Sequence, residues 1–111
     1  MNKGEIWFAR FPLEEDPSIV LKRPVLILDI NILGVLSIKI TKHKFRDQDL
    51  YDIPIIYYEE ANLNFPSTAR VSKNLLLKEN DFIFKIGTLN KDDLERIENA
   101  YIDFLKYNEA F

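Results

Sequence analysis

Cysteine is absent from this chain, and histidine and glycine are scarce, with one and three copies. The lack of cysteine excludes disulfides, thiolate nucleophiles and thiolate zinc sites. A single histidine leaves no imidazole cluster to hold a metal ion, so we expect neither a metal nor another cofactor. With 47% hydrophobic and 30% charged residues, the composition excludes collagen-like and low-complexity chains and is typical of a folded globular protein.

Long apolar runs are also missing. Residues 1–5 lead directly into a strand-like segment, without the apolar core of a secretion signal. No stretch approaches the ~20 apolar residues that a membrane-spanning helix needs. We therefore expect a soluble, cytoplasmic protein, and a length of 111 residues predicts one domain over residues 1–111.

The net charge of −3 conceals an uneven distribution of charge along the chain. Residues 22–46 contain six lysines and arginines but only one carboxylate, so the rest of the chain is strongly acidic. This asymmetry fits an anionic ligand that binds the basic segment. It also fits strands of opposite charge that neutralise each other across the surface, and charge alone leaves both interpretations open.

The first two thirds of the chain are typical of short β-strands. Runs of β-branched and aromatic residues predict strands at 6–11, 25–28, 35–41, 53–58 and 67–72. Pro54 favours an edge position for the fourth strand, since proline lacks the backbone donor that a central strand needs. The polar connection 13–22 is too long for a tight hairpin.

The C-terminal segment changes to a helical period. Asn90 is a good N-cap, and apolar side chains follow at the spacing of one helical stripe: Leu94, Ile97, Tyr101, Phe104 and Leu105. We expect a helix of about 17 residues packed on a small antiparallel sheet. The predicted class is therefore mainly β with a C-terminal helix.

Four short motifs follow one another along the chain. They are G-E-I leading to F-P within 4–12, K-R-P at 22–24, P-S-T-A-R-V at 66–71 and I-G-T-L-N-K-D-D-L at 86–94. In this order they resemble the PemK/MazF toxins of type II toxin–antitoxin systems. The resemblance implies a small SH3-like β-barrel, of the type shared with CcdB, that forms a homodimer. It also implies a metal-independent endoribonuclease that cleaves single-stranded RNA, and a cognate antitoxin whose acidic and apolar tail occupies the RNA site.

The resemblance assigns catalysis to Arg23 and Thr41. RNA cleavage without a metal uses the adjacent 2′-hydroxyl as nucleophile, so the protein must supply positive charge and two proton transfers. A guanidinium such as that of Arg23 binds phosphate oxygens and stays charged, and Thr41 offers one hydrogen-bond donor. From residue type alone, a surface ion pair for Arg23 and an ordinary strand position for Thr41 remain open.

A wider basic set is expected to bind RNA. Lys42, Lys44 and Arg46 alternate with His43, so an extended segment would present three cations on one side to a phosphate backbone. His43, the sole imidazole, would be a general base, a stacking ring or simply an exposed loop residue. The predicted RNA-binding residues are Lys22, Lys42, His43, Lys44, Arg46, Ser67 and Arg70.

Two departures from the family pattern leave a second function open. Ser72 stands where members often carry an acidic residue that takes part in proton transfer. The first loop carries Glu14, Glu15 and Asp16 in place of glycines, and acids that border an RNA groove repel the backbone unless they point away. The alternative is a catalytically inactive barrel that binds RNA or a protein without cutting. Gyrase poisoning, as by CcdB-type toxins, has only the shared fold in its favour.

Overall fold

The computed structural model describes residues 1–42 and 49–109, which form one antiparallel sheet and a long helix. The strand order in the sheet is β4-β5-β3-β2-β1-β6, and a 3-10 turn at Glu79–Asp81 joins β5 to β6. The elements are β1 (Glu5–Pro12), β2 (Val20–Asn31), β3 (Gly34–Lys42), β4 (Asp52–Ile55), β5 (Ser67–Leu77), β6 (Phe82–Thr88) and α1 (Lys91–Glu109).

The predicted class is confirmed, with one difference in the sheet. All five predicted strands are present, and α1 has 19 residues. Within the described part of the chain, no ladder joins β4 to β6, so the sheet is open rather than the closed barrel that the resemblance implies. The edge strand β4 has only four residues, and Pro54 removes one of its donors, which leaves little backbone for a further ladder.

The remaining differences from the predicted elements have local causes. The strand predicted at 53–58 ends at Ile55, because the chain then turns toward α1. The strand β6 escapes prediction because its apolar residues do not alternate with polar ones. Its pairing with β1 contains two register shifts, which break the period of two that a regular strand shows.

The core lies between the sheet and α1. The buried side chains of this helix face include Ile6, Leu26, Leu28, Ile38, Ile40, Ala69, Val71 and, from α1, Ile97. Because side chains alternate along a strand, the residues between them point to the opposite, outer face of the sheet. That outer face carries a smaller apolar cluster of Ala9, Phe11, Val25 and Leu77.

One buried carboxylate joins α1 to the edge of the sheet. Asp93, in the first turn of α1, is fully buried and accepts hydrogen bonds from the backbone N–H groups of Ile56 (3.1 Å) and Tyr57 (2.9 Å). Arg96 Nη2 donates to the same carboxylate at 2.6 Å. Two amides just beyond β4 therefore find their acceptor on the helix.

We expect Asp93→Ala to lower the free energy of unfolding by about 2–4 kcal/mol, because it leaves two amides and a guanidinium without their charged acceptor. Urea denaturation measures the change. The matched control is Asp92→Ala, which removes the neighbouring exposed carboxylate and should cost no more than about 0.5 kcal/mol. Equal losses in the two variants would contradict this role of Asp93.

A second buried carboxylate explains the acidic position of the G-E-I motif. Glu5 accepts hydrogen bonds from Trp7 Nε1 (2.9 Å) and the Asn2 amide (3.0 Å), and Lys85 Nζ lies 3.2 Å away. The Trp7 hydrogen bond above all lowers the pKa of Glu5 from 4.5 to about 2, against the opposing effect of burial. Because the folded pKa is below the unfolded one, the ionised carboxylate stabilises the fold at neutral pH. This contribution is lost as the pH falls from about 4.5 to about 2.

The Glu5→Gln variant should therefore be less stable than the wild type by about 2 kcal/mol at pH 7. The difference in the free energy of unfolding between the two proteins should narrow as the pH falls from about 4.5 to about 2, since the wild-type carboxylate then becomes neutral as well. Denaturation curves at several pH values measure it, with the exposed Glu95→Gln as control. A gap that stays constant down to pH 2 would exclude this carboxylate as the source of the pH dependence.

Candidate functional site

Arg23 and Thr41, the predicted catalytic pair, line one pocket of about 370 Å³ together with Lys39, Lys42 and Arg70. Strand register explains the juxtaposition. Val25 of β2 pairs with Lys39 of β3, so the same register continued by two residues brings Arg23 opposite Thr41. Lys39 in turn pairs with Arg70 of β5. The structure thus gathers four cations and a hydroxyl from three adjacent strands.

The Arg23 guanidinium is half-buried, and no carboxylate among the described residues pairs with it. Burial, and then the positive charge of Arg70, lower the pKa of Arg23. An arginine still keeps its proton under these conditions, because its ordinary pKa is so high. The result is a desolvated positive charge that a bound anion would stabilise.

Lys39 is a site residue that the sequence interpretation missed. Burial first, and then the charges of Arg23, Arg70 and Lys73, lower the pKa of Lys39. Its ammonium therefore releases a proton more readily than an exposed lysine does. The signal that could have identified it is the alternation of β3, which points Lys39 to the same face as Thr41.

Thr41 contributes a hydroxyl that has no hydrogen-bond partner among the described residues. Its Oγ1 is buried and has no hydrogen-bond partner within residues 1–42 and 49–109. A buried hydroxyl in this condition carries a desolvation cost that a ligand oxygen would remove. The position in the pocket wall makes Thr41 a candidate donor to a phosphate oxygen.

Arg70 is held by acidic side chains. Its Nε lies 3.1 Å from Asp52 Oδ1 and its Nη2 lies 3.3 Å from Asp49 Oδ2, and only 15% of its side chain is exposed. Arg70 therefore adds charge to the pocket from a fixed position, with part of that charge compensated.

Ser72, the departure from the family pattern, also binds one of these acids. Its hydroxyl donates to Asp49 Oδ2 at 3.1 Å. Burial raises the pKa of Asp49, but hydrogen bonds from the Tyr51 amide, Ser72 and Arg70 outweigh it, and the net shift is downward. A carboxylate thus does lie beside Arg70 and Ser72, and it stays ionised at neutral pH.

The acidic loop between β1 and β2 lies beside the cations Lys39, Arg70 and Lys73. Glu14 forms an ion pair with Lys73 of β5, and this contact, with smaller effects of Lys39 and Arg70, lowers the pKa of Glu14. Both ion-pair partners line a larger groove of about 670 Å³, which shares Lys39 and Arg70 with the pocket. The Glu14 side chain therefore lines the groove and does not point away from it.

The other predicted RNA-binding residues have different positions. Lys22 is exposed on β2, outside the lining of the pocket. Ser67 is buried and its hydroxyl donates to the carbonyl of Phe65 at 2.7 Å, so it holds the loop before β5. His43, Lys44 and Arg46 lie outside the described residues, and their roles stay predictions.

Comparisons with known proteins identify the family and the fold of the chain. The profile of PemK-like, MazF-like toxins of type II toxin–antitoxin systems matches residues 2–105. The chain belongs to this family. A search of curated proteins finds no significant match to this PemK/MazF family member.

Two solved structures have the same fold as this PemK/MazF family member. A mycobacterial endoribonuclease in complex with its cognate antitoxin matches with a TM-score of 0.68 and 12% identity, over 96% of this chain and 95% of the other. The Mycobacterium tuberculosis toxin MazF-mt6 matches with a TM-score of 0.67 and 22% identity, over 92% and 96%.

The described residues were also compared with the requirements of a metal site and of a membrane-spanning helix. They contain no group of three or more histidine, cysteine, aspartate or glutamate side chains arranged to hold a metal ion. Among these residues, no helix combines the length and apolar character needed to cross a membrane.

Proposed function

We propose that this protein is a toxin that cleaves single-stranded RNA without a metal ion, at the pocket lined by Arg23 and Thr41. The observation that carries the proposal is a half-buried guanidinium without a described acidic partner in the same pocket as an unpartnered hydroxyl. Among the described residues, four cations and no carboxylate line that pocket. Family membership supports a toxin, and one solved structure with the same fold is an endoribonuclease, which supports the reaction type.

In the proposed reaction, the 2′-oxygen attacks the neighbouring phosphorus, and the bond from phosphorus to the 5′-oxygen breaks. The products are a 2′,3′-cyclic phosphate and a 5′-hydroxyl. Arg23 stabilises the negative charge that develops on the phosphoryl oxygens, and Thr41 donates one hydrogen bond to them. The lowered pKa of Lys39 suits it to protonate the departing 5′-oxygen. His43 is the sequence-predicted candidate for the group that accepts the 2′ proton.

We expect Arg23→Ala to reduce RNA cleavage by about 100-fold or more, because the variant removes the unpaired charge at the reacting phosphate. Cleavage of unstructured RNA oligonucleotides in EDTA measures the effect, and end-group analysis identifies the cyclic phosphate. The control is Arg10→Ala, which removes the same charge from an exposed site on β1 outside this pocket and should leave the rate unchanged.

Folded wild-type protein that leaves such RNA intact at low salt, free of any antitoxin, would overturn the ribonuclease proposal. The second candidate function, an RNA-binding module without cleavage, would then be supported by a gel shift without products. The observation that favours this candidate is Ser72, which binds Asp49 instead of supplying the family acid itself.

The proposed partners are a cognate antitoxin and a second copy of the chain. One similar structure holds an endoribonuclease with its cognate antitoxin. The groove beside Lys39 and Lys73 offers cations and apolar side chains to an acidic, apolar tail, next to the carboxylates of Glu14, Glu15 and Asp81. The edge strands β4 and β6 leave backbone groups that a homodimer would cover. An RNA substrate places the proposed activity in the cytoplasm.

The acidic loop should weaken RNA binding. Glu14→Gln frees Lys73 for phosphate contact and removes a negative charge from the groove, so affinity for RNA should rise roughly two- to fivefold at low salt. Fluorescence anisotropy with a labelled oligonucleotide measures it. Glu79→Gln, at an exposed site outside the groove lining, is the control. Unchanged or weaker binding by Glu14→Gln would contradict an inhibitory role of the loop.

A further inference from the structure

A second pocket, of about 530 Å³, adjoins the first and shares Pro24, Ile40, Thr41 and Lys42 with it. We propose that this aromatic pocket binds an unpaired nucleobase of the RNA, next to the phosphate held beside Arg23. The inference rests on the proposed function and adds to it the place where sequence is recognised.

Phenylalanine rings form the floor of the aromatic pocket. Phe8 and Phe84 stack with their centroids 5.2 Å apart and their planes at 26°. Phe8 pairs with Phe84 on one side and with Pro24 on the other, so an apolar strip crosses three strands and ends at the K-R-P motif. Phe84 is 53% exposed, which leaves much of an aromatic side chain free to stack on a base.

The loop before β5 forms another wall of the aromatic pocket, and hydrogen bonds from side chains to backbone carbonyls hold it in place. Ser67 Oγ donates to the Phe65 carbonyl at 2.7 Å, and Asn62 Nδ2 donates to the Ile86 carbonyl at 3.1 Å. Gly87 allows this approach, since a Cβ there would lie 2.4 Å from the carbonyl oxygen of Ala61. The glycine of the I-G-x-L motif is therefore required by the wall. The wall is thus built before any ligand arrives, which lowers the entropic cost of binding.

The charges around the aromatic pocket suit a nucleotide. Its lining contains Lys42 and Lys85 but no carboxylate among the described residues, although Lys85 also pairs with Glu5. The Lys42 ammonium lies 4.1 Å from the centroid of Phe65, on a side chain that lines both pockets. A cation at this junction can contact the phosphate that joins a stacked base to the next nucleotide. Asn64, exposed in the wall, can hydrogen-bond to base edges.

Three features therefore select one occupant. Exposed aromatic rings accept the face of a base, cations accept its phosphates, and the shared residues make the pocket continuous with the proposed phosphate pocket. A protein segment bound in the aromatic pocket would not need a phosphate pocket beside it. We therefore commit to an unpaired nucleobase, and treat a protein occupant as an outcome of the test.

The test uses single-stranded DNA oligonucleotides, which lack the 2′-hydroxyl and so are bound without being cut. The base analogue 2-aminopurine occupies each position in turn, and its fluorescence falls when it stacks on an aromatic ring. With the wild type, we expect quenching confined to one or two positions. Phe84→Leu keeps apolar bulk but removes the π face, so it should abolish the quenching and weaken binding roughly 5- to 150-fold. Phe84→Trp should restore both.

The control variant is Ile83→Ala, at the neighbouring exposed position of β6 outside the aromatic pocket, and it should quench like the wild type. Wild-type cleavage of RNA with unchanged quenching in Phe84→Leu would overturn the nucleobase site and leave the ribonuclease proposal standing. Position-specific quenching by a wild type that does not cleave RNA would support the nucleobase site and overturn the ribonuclease proposal. The absence of any oligonucleotide binding by the wild type would overturn the nucleobase site.

A protein occupant would give a different pattern. If Phe84→Leu lowers the sedimentation coefficient of the protein, or its affinity for an acidic, apolar peptide, while the quenching persists, the surface is a protein interface. Either result would overturn the nucleobase site.

Discussion

The site depends on the register of β3 between β2 and β5. In this register Ile38 and Ile40 are buried against the helix side of the sheet, while Lys39 and Thr41 point to the outer face. Because side chains alternate, a slip of one residue would bury a lysine in the core and expose two isoleucines. The hydrophobic core therefore enforces the register, and the register delivers Lys39 between Arg23 and Arg70. Folding energy and site geometry are linked through one strand.

The positively charged side chains around the pocket repel each other. Neighbouring carboxylates neutralise some of these charges but not others. Asp49 and Asp52 neutralise much of Arg70, and Glu14 pairs with Lys73 at the rim of the groove. Arg23 has no such partner among the described residues, and burial has already removed part of its hydration. The uncompensated charge of the pocket thus includes the half-buried guanidinium of Arg23. An anion that binds there gains more than it would at a surface ion pair, where solvent and salt screen the charge.

Local patterns in the sequence were enough to predict the strands β1–β5 and the helix, whereas the pairing of Arg23 with Thr41 came from the resemblance of the motifs to the family. Each depends on alternation, capping or a motif with a fixed place in the chain. The strand β6 and the residue Lys39 were missed for different reasons. Register shifts interrupt the regular pairing of β6, so its sequence does not alternate as a strand's usually does. The alternation of β3 is regular, but the role of Lys39 depends on arginines that two other strands bring to it. The Asp49–Ser72 hydrogen bond was equally hidden, because it joins a loop to a distant strand.

The end of β3 is where recognition and chemistry would meet. Thr41 and Lys42 line both the phosphate pocket and the aromatic pocket, and Pro24 of the K-R-P motif borders both from β2. A base stacked near Phe84 would therefore fix the position of the neighbouring phosphate relative to Arg23. A base that stacks poorly would leave that phosphate less well placed, and misplacement of about 1 Å is enough to slow a reaction about 100-fold. Selectivity for sequence would then arise in the rate of cleavage, even where phosphate contacts bind all sequences alike.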